Sequence, residues 1–236
     1  MLEIEKLSFR YQAESADNMC FDLSVAPGEV LSLIGPSGSG KSTLLNLVAG
    51  FLQPTGGHIR VNGNSVERLP AGKRPVTMVF QQHNLFPQLD LYTNVALGAD
   101  PSLKLSDTQK AALEAALDKL GLRGLEKRMP GELSGGQRQR VALARAMLRK
   151  CEVLLLDEAF AALGPAMRAE LIGQVKMLVE EESMAALLVS HQPRDAMIAS
   201  KRTAFVHQGR IVSLESTARL LEHSDLSEVR DYLGIL

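Results

Sequence analysis

Long apolar runs are scarce in this sequence of 236 residues, and their absence excludes a membrane-spanning helix. The longest runs, residues 153–156 and 185–189, fall far short of the ~20 apolar residues that cross a bilayer. At the amino terminus apolar and polar residues alternate, with Glu3 and Glu5 among the polar ones. This pattern is typical of a strand and not of a signal peptide. We therefore expect a cytosolic protein.

Cysteine and net charge are also low. The two cysteines, Cys20 and Cys151, have no CxxC spacing and no neighbouring histidine cluster, which excludes a disulfide framework and a zinc site. The formal charge of -1 gives no indication of a nucleic-acid partner. Apolar residues make up 45% and charged residues 22%, as in an ordinary globular protein.

The order of apolar patterns predicts an α/β fold. Alternating or apolar segments bounded by turn residues predict strands at residues 1–11, 20–25, 30–34, 57–61, 76–80, 152–156 and 185–190, with a hairpin at 203–212. Helical spacing dominates residues 82–150, where Ser106 and Gln109 form a capping box. We therefore expect one domain over 1–236, with a core and β subdomain at 1–81 and 151–236 and a helical subdomain at 82–150.

The sequence GPSGSGKST stands between an apolar strand and a helix predicted to begin near Ser42, and it fits the phosphate-loop pattern G-x-x-x-x-G-K-[ST]. Its glycines let the backbone wrap phosphate oxygens, and its N–H groups act together with the positive end of the helix. Lys41 is placed to hold the β- and γ-phosphates of ATP, and Ser42 to hold Mg²⁺. The predicted ATP-binding residues of the loop are Gly35, Pro36, Ser37, Gly38, Ser39, Gly40, Lys41, Ser42 and Thr43.

Two carboxylates follow the apolar segment at 153–156, where a buried strand reaches the surface. Asp157 is predicted to hold Mg²⁺ opposite Ser42, directly or through water. Glu158 is then placed to orient or deprotonate the attacking water. An acidic strand end is a weak signal by itself, and the phosphate loop upstream is what favours a catalytic use.

The sequence LSGGQ provides a second candidate phosphate site. Ser134, Gly135 and Gly136 precede a helix predicted to run from Gln137 to Arg149, so a glycine-rich helix N-terminus recurs. With both motifs at this separation, the chain resembles the ATP-binding-cassette (ABC) ATPases over nearly its whole length. The resemblance implies a P-loop NTPase (RecA-like) core with an antiparallel β subdomain and an inserted α-helical subdomain. It also implies a head-to-tail homodimer, in which residues 134–137 of one copy close on the ATP of the other.

Three further positions match this family residue by residue. Gln81, at the end of a predicted strand, resembles the glutamine that contacts Mg²⁺ and the attacking water. His191 resembles the switch histidine at the γ-phosphate, and Tyr11 resembles the aromatic residue that stacks on adenine. Taken alone, such residues are more often surface or packing residues.

The sequence departs from the family pattern at two positions near the carboxylates. Ala159 stands where the family mostly has proline, and Gly164 stands where it has an aspartate that orders the dimer interface. Losing that carboxylate and adding backbone freedom puts the coupling between the two sites in doubt. Because the residues assigned to hydrolysis are all present, we predict an active ATPase that is slower or less cooperative.

The resemblance also predicts the partners. A single cassette without a membrane span is similar to the ATP-binding subunit of a bacterial importer, held at the cytoplasmic face of the inner membrane by permease subunits. Phe86, Pro87, Leu89 and Tyr92 either dock such a permease or pack internally. The segments FQQHNLFPQLDLYTNVALG and LKLSDTQK are most similar to thiamine importers, which also use a periplasmic thiamine-binding protein. Iron, sulfate, molybdate or polyamine import, and a slowly hydrolysing regulatory switch, remain alternatives.

Overall fold

The structure is a computed structural model that describes residues 1–12, 18–80, 85–161 and 163–234. The strands in these ranges are β1 (Leu2–Phe9), β2 (Met19–Val25), β3 (Glu29–Ile34), β4 (Gly56–Val61), β5 (Asn64–Ser65), β6 (Val76–Phe80), β7 (Val153–Asp157), β8 (Ala185–Val189), β9 (Arg202–His207) and β10 (Arg210–Ser216). The helices are α1 (Lys41–Ala49), α2 (Leu91–Ala99), α3 (Asp107–Lys119), α4 (Gly135–Leu148), α5 (Pro165–Glu181), α6 (Pro193–Ala199), α7 (Thr217–Glu222) and α8 (Ser227–Leu233).

All ten strands of the described ranges form one mixed sheet in the order β5-β4-β1-β2-β10-β9-β3-β8-β7-β6. Strands β9, β3, β8, β7 and β6 are parallel to one another, whereas β9–β10, β2–β1, β1–β4 and β4–β5 pair antiparallel. Asn62 and Gly63 join β4 to β5 with φ values of 47° and 79°, as a two-residue hairpin of type I′ requires. The predicted α/β fold with an antiparallel β region is confirmed.

Strand β8 and residues 153–156 of β7 are buried on both faces, which explains why their sequences are continuously apolar. In β7, Leu154 and Leu156 enter one hydrophobic cluster, packed with residues of α2 to α5. Val153 and Leu155 enter a second cluster on the opposite face, packed with α1 and the antiparallel strands. Each face of the central sheet therefore anchors a separate layer of the protein.

Residues 85–150 contain α2, α3 and α4 and no strand, as the helical spacing indicated; the division of the chain into subdomains remains a prediction. The capping box of Ser106 and Gln109 at the start of α3 is confirmed. One helix start was wrong: α4 begins at Gly135 and not at Gln137. Both glycines enter the first turn because Ser134 caps the helix and Gln137 completes a capping box.

Ligands of open α/β sheets bind at the carboxyl ends of parallel strands. Here the adjacent strands β3, β8 and β7 end at the phosphate loop, at Ser190 and His191, and at Asp157 and Glu158. The topology therefore brings three separate sequence segments to one edge of the sheet. None of the described helices combines the length and the apolar composition needed to cross a membrane.

Candidate active site

The phosphate loop connects β3 to α1 and has a backbone that needs glycine. Gly35, Gly38 and Gly40 have φ values of 144°, 76° and 105°, in the region that L side chains avoid. A Cβ atom at Gly35 would lie 2.1 Å from the carbonyl oxygen of Val206 on β9, so no larger residue fits there. A loop of this shape leading into a helix N-terminus is suited to phosphate.

Lys41 is buried inside this loop, with 4% of its surface exposed. Its Nζ donates hydrogen bonds to the carbonyl oxygens of Gly35 at 2.8 Å and Pro36 at 2.7 Å. Burial lowers the pKa of Lys41, and the nearby carboxylates of Glu158 and Asp157 partly oppose that shift. The ammonium group is thus held at the centre of the loop, where phosphate oxygens would compete for its protons.

Ser42 and Asp157 come together although 115 residues separate them. The hydroxyl of Ser42 donates to Oδ1 of Asp157 over 2.9 Å. Burial raises the pKa of Asp157, the hydrogen bond from Ser42 opposes this, and the charge of Glu158 adds to the rise. A hydroxyl and a carboxylate beside a phosphate loop match the sparse set of protein oxygens by which Mg²⁺ is held next to a nucleotide. In the described ranges no cluster of three or more His, Cys, Asp or Glu forms another metal site.

Glu158 and His191 meet across the ends of β7 and β8. Oε1 of Glu158 lies 2.5 Å from Nε2 of His191. Glu158 has a φ of 49°, a left-handed conformation that is unfavourable for a residue with a Cβ by about 1–2 kcal/mol. Its N–H nevertheless donates to the carbonyl of Val189 at 3.2 Å. The strained backbone therefore fixes the direction of a carboxylate that the strand alone would not place there.

Tyr11 lies against the start of α1. Its hydroxyl is 2.8 Å from Oγ1 of Thr43, and its ring packs edge-on to Phe9 with centroids 4.8 Å apart. The residue is 62% exposed, so much of its surface remains accessible. Tyr11 belongs to a pocket of about 290 Å³ that is also lined by Met19, residues 37–43, Glu158 and His191. The structure thus groups Tyr11 with the phosphate loop, and adenine stacking stays a prediction.

The second glycine-rich helix end is well formed and lies elsewhere. Ser134 accepts a hydrogen bond from the N–H of Gln137, whose side chain accepts one from the N–H of Ser134. Gly136 allows close packing, since a Cβ there would lie 2.3 Å from Sδ of Met167. Residues 134–137 do not line the described pocket at the phosphate loop. The structure therefore does not bring the two predicted phosphate sites together within one chain.

Gln81 lies outside the described residues, so its contact with Mg²⁺ and water stays a prediction. The two residues that depart from the family pattern, Ala159 and Gly164, lie within the described ranges. Ala159 is buried, and Gly164 precedes α5 with φ -65° and ψ 157°, a conformation open to any residue. The expectation of extra backbone freedom at Gly164 therefore has no support from its folded conformation, which a residue with a Cβ can adopt as well.

Sequence reasoning missed two side chains beside the site. Met19 lines the pocket together with Tyr11. Tyr232 on α8 donates from its hydroxyl to the carbonyl oxygen of His191 at 3.2 Å, and burial raises the pKa of that hydroxyl. In the sequence Tyr232 is a single aromatic residue in a short amphipathic tail. Such a residue usually packs against the core, so the sequence offered no reason to assign Tyr232 to the site.

The glycine loop, the Ser42–Asp157 pair and the Glu158–His191 pair at one sheet edge define a phosphate-loop nucleotide-binding protein. A model of the ABC transporter family matches residues 19–161 of the chain. The chain therefore belongs to the ABC transporter family, as an ATP-binding subunit.

Curated relatives and solved structures agree with this assignment. A thiamine import ATP-binding protein ThiQ of a Chelativorans species is 46% identical, covering 99% of this chain and 94% of its own. A protein of the same name from Photobacterium profundum is 40% identical, covering 99% of this chain and 100% of its own. The dimeric post-hydrolysis state of the ATP-binding cassette MJ0796 bound to ADP and Pi superimposes with a TM-score of 0.80 at 27% identity, covering 92% of this chain and 99% of the other.

Proposed function

We propose that this chain is the ATP-hydrolysing subunit of a thiamine importer. The relatives named for thiamine import are similar over nearly the whole chain, which supports the cargo. The observation that carries hydrolysis is the convergence of Ser42 with Asp157 and of Glu158 with His191 at the phosphate loop. Recognition of thiamine then belongs to the permease and to the periplasmic thiamine-binding protein, because no residue of this site would touch the vitamin.

In this proposal each side chain has a separate task. The loop N–H groups and Lys41 bind the β- and γ-phosphates, and Tyr11 stacks on adenine. Ser42 and Asp157, with Gln81, hold Mg²⁺, which supplies charge neutralisation at the phosphates when bound. Glu158 accepts the proton of the attacking water as a general base.

His191 completes the site in the same proposal. Its Nε2 lies within hydrogen-bonding distance of the Glu158 carboxylate, so it is placed to orient that base. The contact with the γ-phosphate is what the resemblance to the family's switch histidine implies. A carboxylate whose direction is already fixed loses little conformational freedom when the transition state forms. Such positioning therefore lowers the activation barrier.

A second copy of the chain would complete each site. Residues 134–137 form a capped helix N-terminus, yet they do not line the described pocket at the phosphate loop of their own chain. A head-to-tail homodimer would place them at the partner's γ-phosphate. The dimeric ABC cassettes with a similar fold support this arrangement.

A groove between β6, α2 and α4 is the proposed permease site, which would hold the chain at the cytoplasmic face of the inner membrane. The groove has a volume of about 410 Å³, and its lining includes Phe80, Phe86, Leu97 and Ala146. Phe86 lines the groove and is 44% exposed, which supports the docking role for it, whereas Tyr92 packs against the helical core. An amphipathic helix of the permease would bury its apolar face here.

The test is reconstitution of the chain with its permease and thiamine-binding protein in liposomes, followed by ATP hydrolysis assays with and without thiamine. We expect thiamine to stimulate turnover and Glu158→Gln to abolish it. ATP hydrolysis that thiamine does not stimulate would contradict thiamine as the transported substrate, but it would not contradict the proposed ATPase activity. ATP binding without any hydrolysis would contradict the proposed ATPase activity and favour a regulatory switch controlled by nucleotide binding.

A further inference from the structure

Arg168 holds the loop between Glu158 and α5 from the inside. The residue lies in the first turn of α5 and is 7% exposed. Its Nε donates to the carbonyl oxygen of Phe160 at 3.1 Å, and its Nη2 donates to those of Ala161 at 2.9 Å and Leu163 at 3.2 Å. One planar guanidinium therefore ties three carbonyls of the loop that begins with the proposed general base.

Asp195 on α6 connects the same guanidinium to the His191 loop. It is 5% exposed, and its Oδ2 lies 3.7 Å from Nη1 of Arg168. The same oxygen accepts a hydrogen bond from the hydroxyl of Ser190 at 2.6 Å, and that hydroxyl accepts one from the N–H of Gln192 at 3.0 Å. Both neighbours of His191 are thus linked to Arg168 through one buried carboxylate.

We propose that Arg168 and Asp195 are positioning residues for ATP hydrolysis, because they hold the Glu158 loop and the His191 loop in register. The two loops meet at the contact of 2.5 Å between Glu158 and His191, which tolerates little relative movement. A cavity of about 80 Å³ between the loops is lined by all four of these residues, so protein atoms do not fill the space that separates them. The hydrogen bonds and the ion pair of Arg168 and Asp195 therefore hold the two loops at a fixed separation.

The dependence on Arg168 is strengthened by Gly164. That residue offers no side chain to order the loop from outside, and a Cβ built on it meets no atom within 4 Å. Beyond the loop's own backbone hydrogen bonds, the side-chain contacts that hold it in the described part of the chain are therefore those from Arg168 to its three carbonyl oxygens.

This inference rests on the proposed hydrolysis function, and it is tested in the reconstituted complex with Arg168→Lys and Asp195→Asn. Lysine keeps the charge but cannot present the planar fork, and asparagine keeps the shape but loses the charge. For each variant we expect kcat to fall about 10- to 100-fold while KM and ATP affinity stay within about twofold, since slight misplacement of catalytic groups has effects of this size.

Removing His191 distinguishes positioning from a general loss of stability. In a His191→Ala background the same two substitutions should lower kcat by less than about threefold, because groups that act as a unit are not additive. Arg74→Lys is the matched control. Arg74 is another buried arginine that donates to backbone carbonyls, those of Leu47, Val48, Glu67 and Leu69. It should lower the melting temperature and leave kcat unchanged.

The outcomes separate the two proposals. A wild-type kcat in folded Arg168→Lys and Asp195→Asn, or an equal loss of kcat in Arg74→Lys, would overturn the positioning role alone. An undiminished effect in the His191→Ala background would also overturn it. Absence of turnover in the unsubstituted complex would overturn the proposed hydrolysis and this inference with it.

Discussion

Oε1 of Glu158 lies 2.5 Å from Nε2 of His191, and the two residues follow the carboxyl ends of the adjacent parallel strands β7 and β8. A carboxylate and an imidazole at this distance share a hydrogen bond, so the orientation of each depends on the other. Because Glu158 also has the unfavourable φ of 49°, the fold maintains this contact against local backbone preference. A base held in this way should act in proton transfer more than in nucleotide binding.

Replacing Glu158 by glutamine should therefore separate binding from chemistry. The amide keeps the size of the side chain and cannot accept a proton, so we expect kcat to fall at least ~100-fold, in the range typical of a lost general base. ATP affinity, measured by equilibrium binding, should change less than about threefold. The control is Glu152→Gln, at the other end of β7, where the exposed carboxylate accepts a hydrogen bond from Asn62 at 2.7 Å. Equal losses of activity in both variants would contradict the assignment.

Replacing Asp157 should stabilise the fold and abolish activity. Burial raises its pKa, so between the unfolded and the folded pKa the folded state binds more protons and stability falls as pH rises. Asp157→Asn removes this penalty, and without Mg²⁺ or nucleotide it should raise the melting temperature by about 1–3 °C at pH 7. The gain should shrink as the pH falls toward ~4, near the ordinary pKa of aspartate, because the carboxyl group then begins to be protonated in the unfolded state as well.

Two measurements check this prediction. Thermal unfolding over pH 4–8 should show the pH-dependent gain for Asp157→Asn and none for Asp225→Asn, which replaces an exposed aspartate. Mg²⁺-dependent hydrolysis should be lost only in Asp157→Asn. A lower melting temperature at pH 7, or a gain independent of pH, would show that the buried charge is not the cause.

Gly98 determines how closely α2 approaches α4. A Cβ at this position would lie 2.1 Å from the carbonyl oxygen of Arg145, and a backbone atom cannot move aside as a side chain can. Gly98→Ala should therefore destabilise the fold by about 1–3 kcal/mol and lower the melting temperature by several degrees. Gly173 in α5 is the control, because its Cβ would meet nothing within 4 Å. There alanine should stabilise by about 0.5–1 kcal/mol, and equal effects at both glycines would refute the packing argument.

The sequence predicted those parts of the fold that have a local period. Residues 153–156 of β7 and all of β8 are apolar because both faces of these strands are buried, and the capping box at Ser106 marks the start of α3. The hairpin of β9 and β10 was predicted, but the pairing of β10 with β2 was not predictable, because pairing between distant segments leaves no local pattern. The start of α4 was misjudged because glycine is a poor helix former, and the cap at Ser134 compensates for it.

The candidate site shows the same division. The glycine loop and the acids after β7 follow from spacing, since strand ends of a parallel sheet meet at one edge. The conformation of Glu158 and the buried pair of Arg168 and Asp195 depend on contacts between α5, α6 and two loops. In the sequence Arg168 is one charged residue among several on a helix, and its burial becomes visible only when the loop above it is placed.

Gly164 gives the sharpest test of how this chain departs from its family. The residue is the N-cap of α5, no side chain caps that helix end, and an added Cβ would meet nothing within 4 Å. Gly164→Asp should therefore be accommodated without strain, and its carboxylate can accept a hydrogen bond from the first turn of α5. We expect a gain of a few tenths of a kcal/mol, seen as a rise in melting temperature of about 1 °C.

The same variant should also change the coupling between the two nucleotide sites. If an aspartate at this position orders the dimer interface, Gly164→Asp should raise kcat of the reconstituted complex and steepen its dependence on ATP, whereas Gly164→Ala should do neither. The measurement is hydrolysis rate against ATP concentration for the three proteins. Hydrolysis that appeared only in Gly164→Asp would show that the natural chain is not an active ATPase. Identical curves for all three would show that the loop needs no carboxylate at this position, as expected if the contacts of Arg168 from inside the loop already order it.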